Sequence, residues 1–331
     1  MDFAVQDGVF YESNWKCFAM LSSPLAQAMI SLDCIEAVGF FIIAIWWLVS
    51  QRKIERKFRV VRWHNFGLTI SFWLFYATFR FVIFLVLWCP FIDTAADDFK
   101  LAIAQAVFHW ISVSLLLSTV LRPICQGLDR LRNSPSQIWN RATKLFMTLF
   151  TIFVIIYMAM MIADAKNILT QRTIVPDDDA ISRFYYVKLL KDLLRPKYIV
   201  VSKGMETTWL ILALGGITKM LFTVSRCSQA SPSLKAWTFA LAFSLFGYGV
   251  IRTFLAFWDG SEIIFLFYSH AYLAKYAPIL VLPVFFSLLA LLSVLQVATR
   301  LGMLLAADAS LYEAEPKPEK TAESKTDGST F

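Results

Sequence analysis

Seven stretches of the chain stay apolar for about the 20 residues that a helix needs to cross a bilayer. They fall at approximately 27–50, 66–89, 101–121, 144–163, 200–222, 236–258 and 276–299. Lipid forces backbone groups to pair within their own segment, which predicts helices at these places. Within the fourth, "LFMTLFTIFVIIYMAMMIA" is free of charge, and the seventh is uncharged over all 24 of its residues while carrying Pro278 and Pro283. The fifth holds Glu206 and a Gly215-Gly216 pair. The pattern predicts an all-α, polytopic integral membrane protein with a seven-helix domain over 27–300. Residues 1–26 read as an extracytosolic N-terminal segment. Residues 301–331 read as a disordered cytosolic tail, because "DASLYEAEPKPEKTAESKTDGSTF" is charged and has almost no apolar residue.

The loops set the orientation. "QRKIERKFRVVR" after the first segment holds six Lys/Arg, the 122–144 connection five, and 225–235 two. The loops at 90–100 and 259–275 hold one each, and the N-terminal segment holds only Lys16. Basic loops stay cytosolic, which predicts the N-terminus outside or lumenal and the C-terminus cytosolic. Residues 165–203 run against that pattern with eight Lys/Arg. Within them, "PDDDAISRFYYVKLLKDLLRPK" places Asp177–Asp179 at a helix start and Pro196 past its end, with Phe184, Val187, Leu190 and Leu194 on one face. That predicts an amphipathic helix on the outer surface, either capping the bundle or simply solvated.

Composition agrees with a bilayer. The chain is 58% hydrophobic and only 17% charged, against about a quarter charged in a soluble domain. The net charge of +7 is accounted for by loop anchors, so no nucleic-acid partner is implied. The partners are membrane lipids. Cys17, Cys34, Cys89, Cys125 and Cys227 show no CxxC and no metal spacing, and Cys17 and Cys89 fall on the predicted outer side, where they could meet. Asp2, Asp7 and Glu12 in an otherwise base-free start are the reverse of a signal peptide. The membrane is that of the endoplasmic reticulum or the cell surface.

Six ionisable side chains of these apolar stretches fall in one outer-half layer. Arg80 is eight residues from Trp88, about 12 Å from the outer end at 1.5 Å per residue, and Arg252 is six residues from Trp258, about 9 Å. Asp33, Glu36, His109 and Glu206 reach the same outer-half layer from three further segments. Each charge at depth costs about 2.5 to 3.5 kcal/mol even on the lenient scale, so the arginines need carboxylate partners. For Arg80 these are Glu36 or Glu206. The layer is either a structural ion-pair network or the floor of a pocket that opens outward or to the outer leaflet. In the second case Glu206, then Glu36, are the candidate catalytic or ligand-binding acids, with Arg80, His109, Arg252 and Asp33 as binding residues. His109 alone reads equally as a core histidine. No metal or cofactor is expected.

Several chemistries are excluded by their missing signatures. There is no GxSxG, HExxH, P-loop or dinucleotide fingerprint. With only three histidines, a histidine-rich di-iron site is ruled out. The third segment ends "STVLRPICQG" without an Asp-Arg-Tyr triplet, and the seventh reads "LPVFFSLL" rather than Asn-Pro-x-x-Tyr, which excludes a rhodopsin-like receptor. A carboxylic acid in a dry aromatic cavity can protonate an alkene or epoxide, and aromatic faces can stabilise the cation formed. That is terpene-cyclase logic. "GFFIIAIWWLVS", "FWLFYATFRF", "FGYGVIRTFLAFWDGSE" and the short charged tail resemble the fungal seven-helix membrane proteins of secondary-metabolite clusters, the membrane protein A of paxilline-type indole-diterpene pathways among them. The resemblance spans roughly 27–300. It implies a cyclase or accessory protein in terpenoid or indole-diterpene biosynthesis, an apolar small-molecule substrate or ligand, and membrane-bound pathway enzymes as partners. It transfers no catalytic residue. The alternatives are a non-rhodopsin seven-helix receptor and, third, a small-solute transporter. A weak likeness between the second and sixth segments, each an arginine followed by tryptophan, leaves room for a three-plus-one-plus-three repeat of the kind some transporters show.

Overall fold

The computed structural model describes residues 24–52, 54, 58–61, 63–88, 95–133, 136–171, 180–257 and 270–314. Among them every regular element is a helix. They are α1 (Pro24–Arg52), α2 (Trp63–Trp88), α3 (Ala95–Thr119), a π-helical turn (Val120–Ile124), α4 (Cys125–Leu131), α5 (Gln137–Gln171), α6 (Ala180–Ser225), α7 (Pro232–Phe257) and α8 (His270–Ala314). The expectations for residues 1–23, for Cys17 and Cys89, and for the tail past Ala314 lie outside the described residues. So do the side chains of the proposed surface helix at 180–194.

Six helical stretches are long and apolar enough to cross a membrane: Gln27–Ser50, Ile103–Leu131, Gln137–Ala163, Val200–Ser225, Pro232–Phe257 and Ala277–Asp308. The chain is therefore an all-helical integral membrane protein. Phe41, Ile45, Ile152, Ile156, Phe239 and Phe254 stand out from the bundle at 46–65% exposure. A water-soluble monomer rarely shows so much contiguous apolar surface, whereas lipid tails accept it. α2 is also of spanning length, at 26 residues, and carries Arg80 in its interior.

Six of the helices pack side by side in a closed ring, in the order α1, α2, α3, α6, α7, α8 and back to α1. α5 lies outside it, against α3 and α6. One apolar core runs through the ring, from Phe40, Trp73 and Trp110 through Leu117, Trp209 and Leu245 to Leu291 and Leu301. Two glycines let neighbouring helices approach closely. A Cβ at Gly39 on α1 would lie 2.6 Å from Leu288 on α8, and one at Gly249 on α7 would lie 2.9 Å from the Trp209 ring on α6.

Three boundaries differ from those predicted. α6 runs without a break from Ala180, so the stretch expected to be a separate helix ending before Pro196 is continuous with the helix of the fifth predicted span. Proline removes one backbone donor and strains one turn, and a 46-residue helix with both sides formed absorbs that. α8 likewise contains Pro278 and Pro283, and it continues to Ala314 rather than stopping at 299. The disordered segment expected from 301 is thus helical to Ala314. Leu301 is fully buried and Leu304 and Leu305 pack on the core, so the apolar face persists where the sequence turns polar on the other side. Finally, the third span ends in a π turn containing Pro123, followed by α4. The wider turn accommodates the proline ring, which would clash with a carbonyl in regular helix.

Candidate functional site

The ring interior holds two ion pairs built the same way. On α1 and α2, Arg80 Nη2 lies 2.5 Å from Glu36 Oε2, and Arg80 Nε donates to Asp33 Oδ1 at 2.6 Å. On α6 and α7, Arg252 Nη2 lies 2.5 Å from Glu206 Oε1. In each case the carboxylate comes from one helix and the arginine from the next, 44 and 46 positions later. In each case a tyrosine precedes the arginine by one helical turn, as in Tyr76-Ala-Thr-Phe-Arg80 and Tyr248-Gly-Val-Ile-Arg252. The Arg80 guanidinium sits 5.6 Å from the Tyr76 ring centroid.

The pairs differ in stoichiometry. Asp33 and Glu36 fall one turn apart on α1, so both carboxylates reach the same guanidinium. Ser287 on α8 also donates to Glu36, at 3.3 Å. The close approach at Gly39 and Leu288 is what brings Ser287 there. Asp33, Glu36 and Arg80 together carry one negative charge in excess if all are ionised, whereas Glu206 and Arg252 cancel. Asp33 and Glu36 are each only 2% exposed, and Glu206 5%. Asp33 Oδ2 and Arg252 Nε make no hydrogen bond.

Aromatic rings lie between the two pairs. Trp73 meets Phe40 at 5.6 Å, Tyr76 at 5.9 Å and Tyr248 at 5.8 Å, and Tyr248 meets Trp209 at 5.6 Å. Such tilted and edge-on contacts suit the ring quadrupole. The Trp209 indole N–H is fixed by the Val113 carbonyl at 3.1 Å. His109 on α3 packs at 5.1 Å against Tyr76 and edge-on against Trp73, within electrostatic reach of both arginines. Neither of its ring nitrogens has a hydrogen-bond partner, and neither does the Trp73 indole nitrogen. A buried donor left unpaired costs about 1–3 kcal/mol, so these atoms mark a polar spot inside an apolar wall.

The structure thus brings together all six side chains singled out from the sequence, and it resolves the partner of Arg80 as Glu36 with Asp33 rather than Glu206. It adds Ser287, Trp73, Tyr76 and Tyr248. The two tyrosines were visible as a repeated Tyr-x-x-x-Arg, whereas Ser287 had no sequence signal, since only the packing of α8 on α1 delivers it. A further buried pair, Asp129 on α4 with Lys219 on α6 at 2.8 Å, lies at the other end of the bundle. Among the described residues no group of three or more histidines, cysteines and acids is placed to hold a metal ion.

Comparison with protein-family models, with curated proteins and with solved structures finds no match to this chain. The class is therefore defined by the fold and the layer themselves: a helical integral membrane protein with charged and aromatic side chains packed in its interior.

Proposed function

We propose that this chain is a seven-span membrane protein, with α2 as the seventh span, the N-terminus outside and the C-terminus cytosolic. It handles an apolar metabolite in the ring interior, and its reaction is acid-initiated cyclisation of a prenylated substrate of secondary metabolism. One observation carries the reading: Asp33 and Glu36 share the single guanidinium of Arg80 beside the aromatic set of Trp73, Tyr76 and Tyr248. Two carboxylates on one cation, away from water, are neutralised by one proton shared between them. That proton can be given to an alkene or epoxide. The cation formed lies against aromatic faces, which stabilise it by cation–π attraction. Ring closure followed by loss of a proton to the waiting carboxylate ends the reaction, so it is an isomerisation and uses no co-reactant.

The charge count also ranks the acids. Glu206 is matched one to one by Arg252 and serves as a structural pair, while the Asp33–Glu36 dyad does the proton transfer. The test is turnover of an epoxidised farnesyl or geranylgeranyl chain by purified protein in lipid nanodiscs. The cyclised isomer is expected as product, and an unchanged substrate pool over many enzyme equivalents would overturn the proposal.

A transport reading has one observation in its favour. Two three-helix units, α1–α3 and α6–α8, occupy equivalent places in the ring and carry equivalent Glu–Arg pairs, as in transporters made of parallel repeats. Counterflow of a labelled solute in proteoliposomes, without chemical change, would favour it.

A further inference from the structure

Phe222 lies one turn before the end of α6 and is 46% exposed. Two guanidiniums lie over its ring. Arg226 Cζ is 4.0 Å from the ring centroid and Arg132 Cζ is 5.9 Å from it. They come from different helix ends. Arg132 caps α4, whose end is set by the left-handed Asn133 at φ 54°, and Arg226 follows α6. The ends are held together where the Cys227 thiol donates to the Leu131 carbonyl at 4.0 Å.

This arrangement is short of negative charge. Among the described residues neither guanidinium is paired with a carboxylate, and Asp129 on α4 is committed to Lys219. The two cations are no farther apart than about one Debye length at 0.1 M salt, so they repel. The C-termini of α4 and α6 help to hold them, with roughly half a negative charge each, but that offsets only about half of the two positive charges. Arg130, exposed in the last turn of α4, adds to the excess.

We propose that Arg132, Phe222 and Arg226 form a binding site for the phosphate of an anionic membrane lipid. The membrane-length part of α6 ends at Ser225, which puts the site at the boundary where headgroups lie. Guanidinium is the side-chain group best matched to phosphate oxygens, and it stacks on aromatic rings while doing so. The half-exposed Phe222 ring offers the lipid's glycerol and chain an apolar contact that a free phosphate ion cannot use.

Native mass spectrometry of the full chain in detergent, titrated with phosphatidylglycerol and with phosphatidylcholine, tests this. Phosphatidylglycerol is expected to bind the wild type roughly tenfold more tightly, at about one such lipid per chain. Arg132→Gln/Arg226→Gln should remove that preference, and Arg141→Gln/Lys144→Gln, which deletes two exposed bases elsewhere, should keep it. If the first double variant does not fold, the exposed Arg226→Gln alone carries the comparison. Equal preference in the wild type and the Arg132/Arg226 variant, or equal loss in both double variants, would overturn the site. Displacement of the lipid by inorganic phosphate at the lipid's own concentration would show a free-phosphate site and overturn the lipid assignment.

Discussion

Arg80 and Glu36 sit 44 positions apart in the chain and 2.5 Å apart in the fold. That contact explains how α2, otherwise a lipid-compatible helix, can hold an arginine in its interior. The arginine faces the ring, and α1 supplies the charge that cancels it.

Removing the cation strands two buried carboxylates. Breaking a buried pair from one side costs about 3–5 kcal/mol. Arg80→Ala is therefore expected to lower membrane abundance and detergent melting temperature well below wild type, whereas Arg141→Ala, at an exposed position, is expected to leave both near normal. Fluorescence size-exclusion with a thermal ramp reads both quantities.

Gly249 tests the close approach of α6 and α7. A Cβ there would meet the Trp209 ring at 2.9 Å and Leu210 at 2.7 Å, and the indole is tied to Val113 and cannot swing aside freely. Gly249→Ala is expected to cost about 1–3 kcal/mol by overpacking. A melting temperature equal to wild type would show that the two helices pack more loosely than described.

His109 separates stability from function. Both its nitrogens are buried and unpaired, so His109→Phe removes an unsatisfied polar group without emptying its volume. The variant should melt at or above the wild-type temperature and should make less product per molecule. Loss of folding would show instead that His109 is hydrogen-bonded in the working protein.

Orientation is tested by glycosylation. An added acceptor site within 165–203 should be modified in microsomes, and one placed after Ala314 should not, because the six bases between Arg52 and Arg62 predict a cytosolic side there. Modification of the second site alone would invert the topology.

Much of this architecture is legible in the chain itself. Apolar length gives the helices, and counting residues from Trp88 and Trp258 puts the arginines at a common depth with the acids. Pairing is another matter. Depth alone cannot tell whether Arg80 meets Glu36 or Glu206, because that depends on which helices are neighbours in the ring. Ser287 shows the same limit, since its contact with Glu36 follows from the approach of α8 to α1 at Gly39. Helix ends are hidden where local chemistry and packing disagree. Pro196 reads as a stop but lies within α6, and the polar residues after Arg300 hide the apolar stripe of Leu301, Leu304 and Leu305.

The central claim is that the Asp33–Glu36 dyad, and not the balanced Glu206–Arg252 pair, supplies the working proton. The most direct measurement compares wild type, Glu36→Gln and Glu206→Gln for membrane abundance and for cyclised product per molecule of folded protein, using the epoxidised prenyl substrate. Glutamine keeps the shape and can still accept from arginine, but it cannot deliver an acid proton. Glu36→Gln is expected to be present near wild-type abundance and to lose most of its product, while Glu206→Gln loses stability and retains activity per folded molecule. Full product per molecule from Glu36→Gln would contradict the claim and leave the ion pairs as structural supports of the ring.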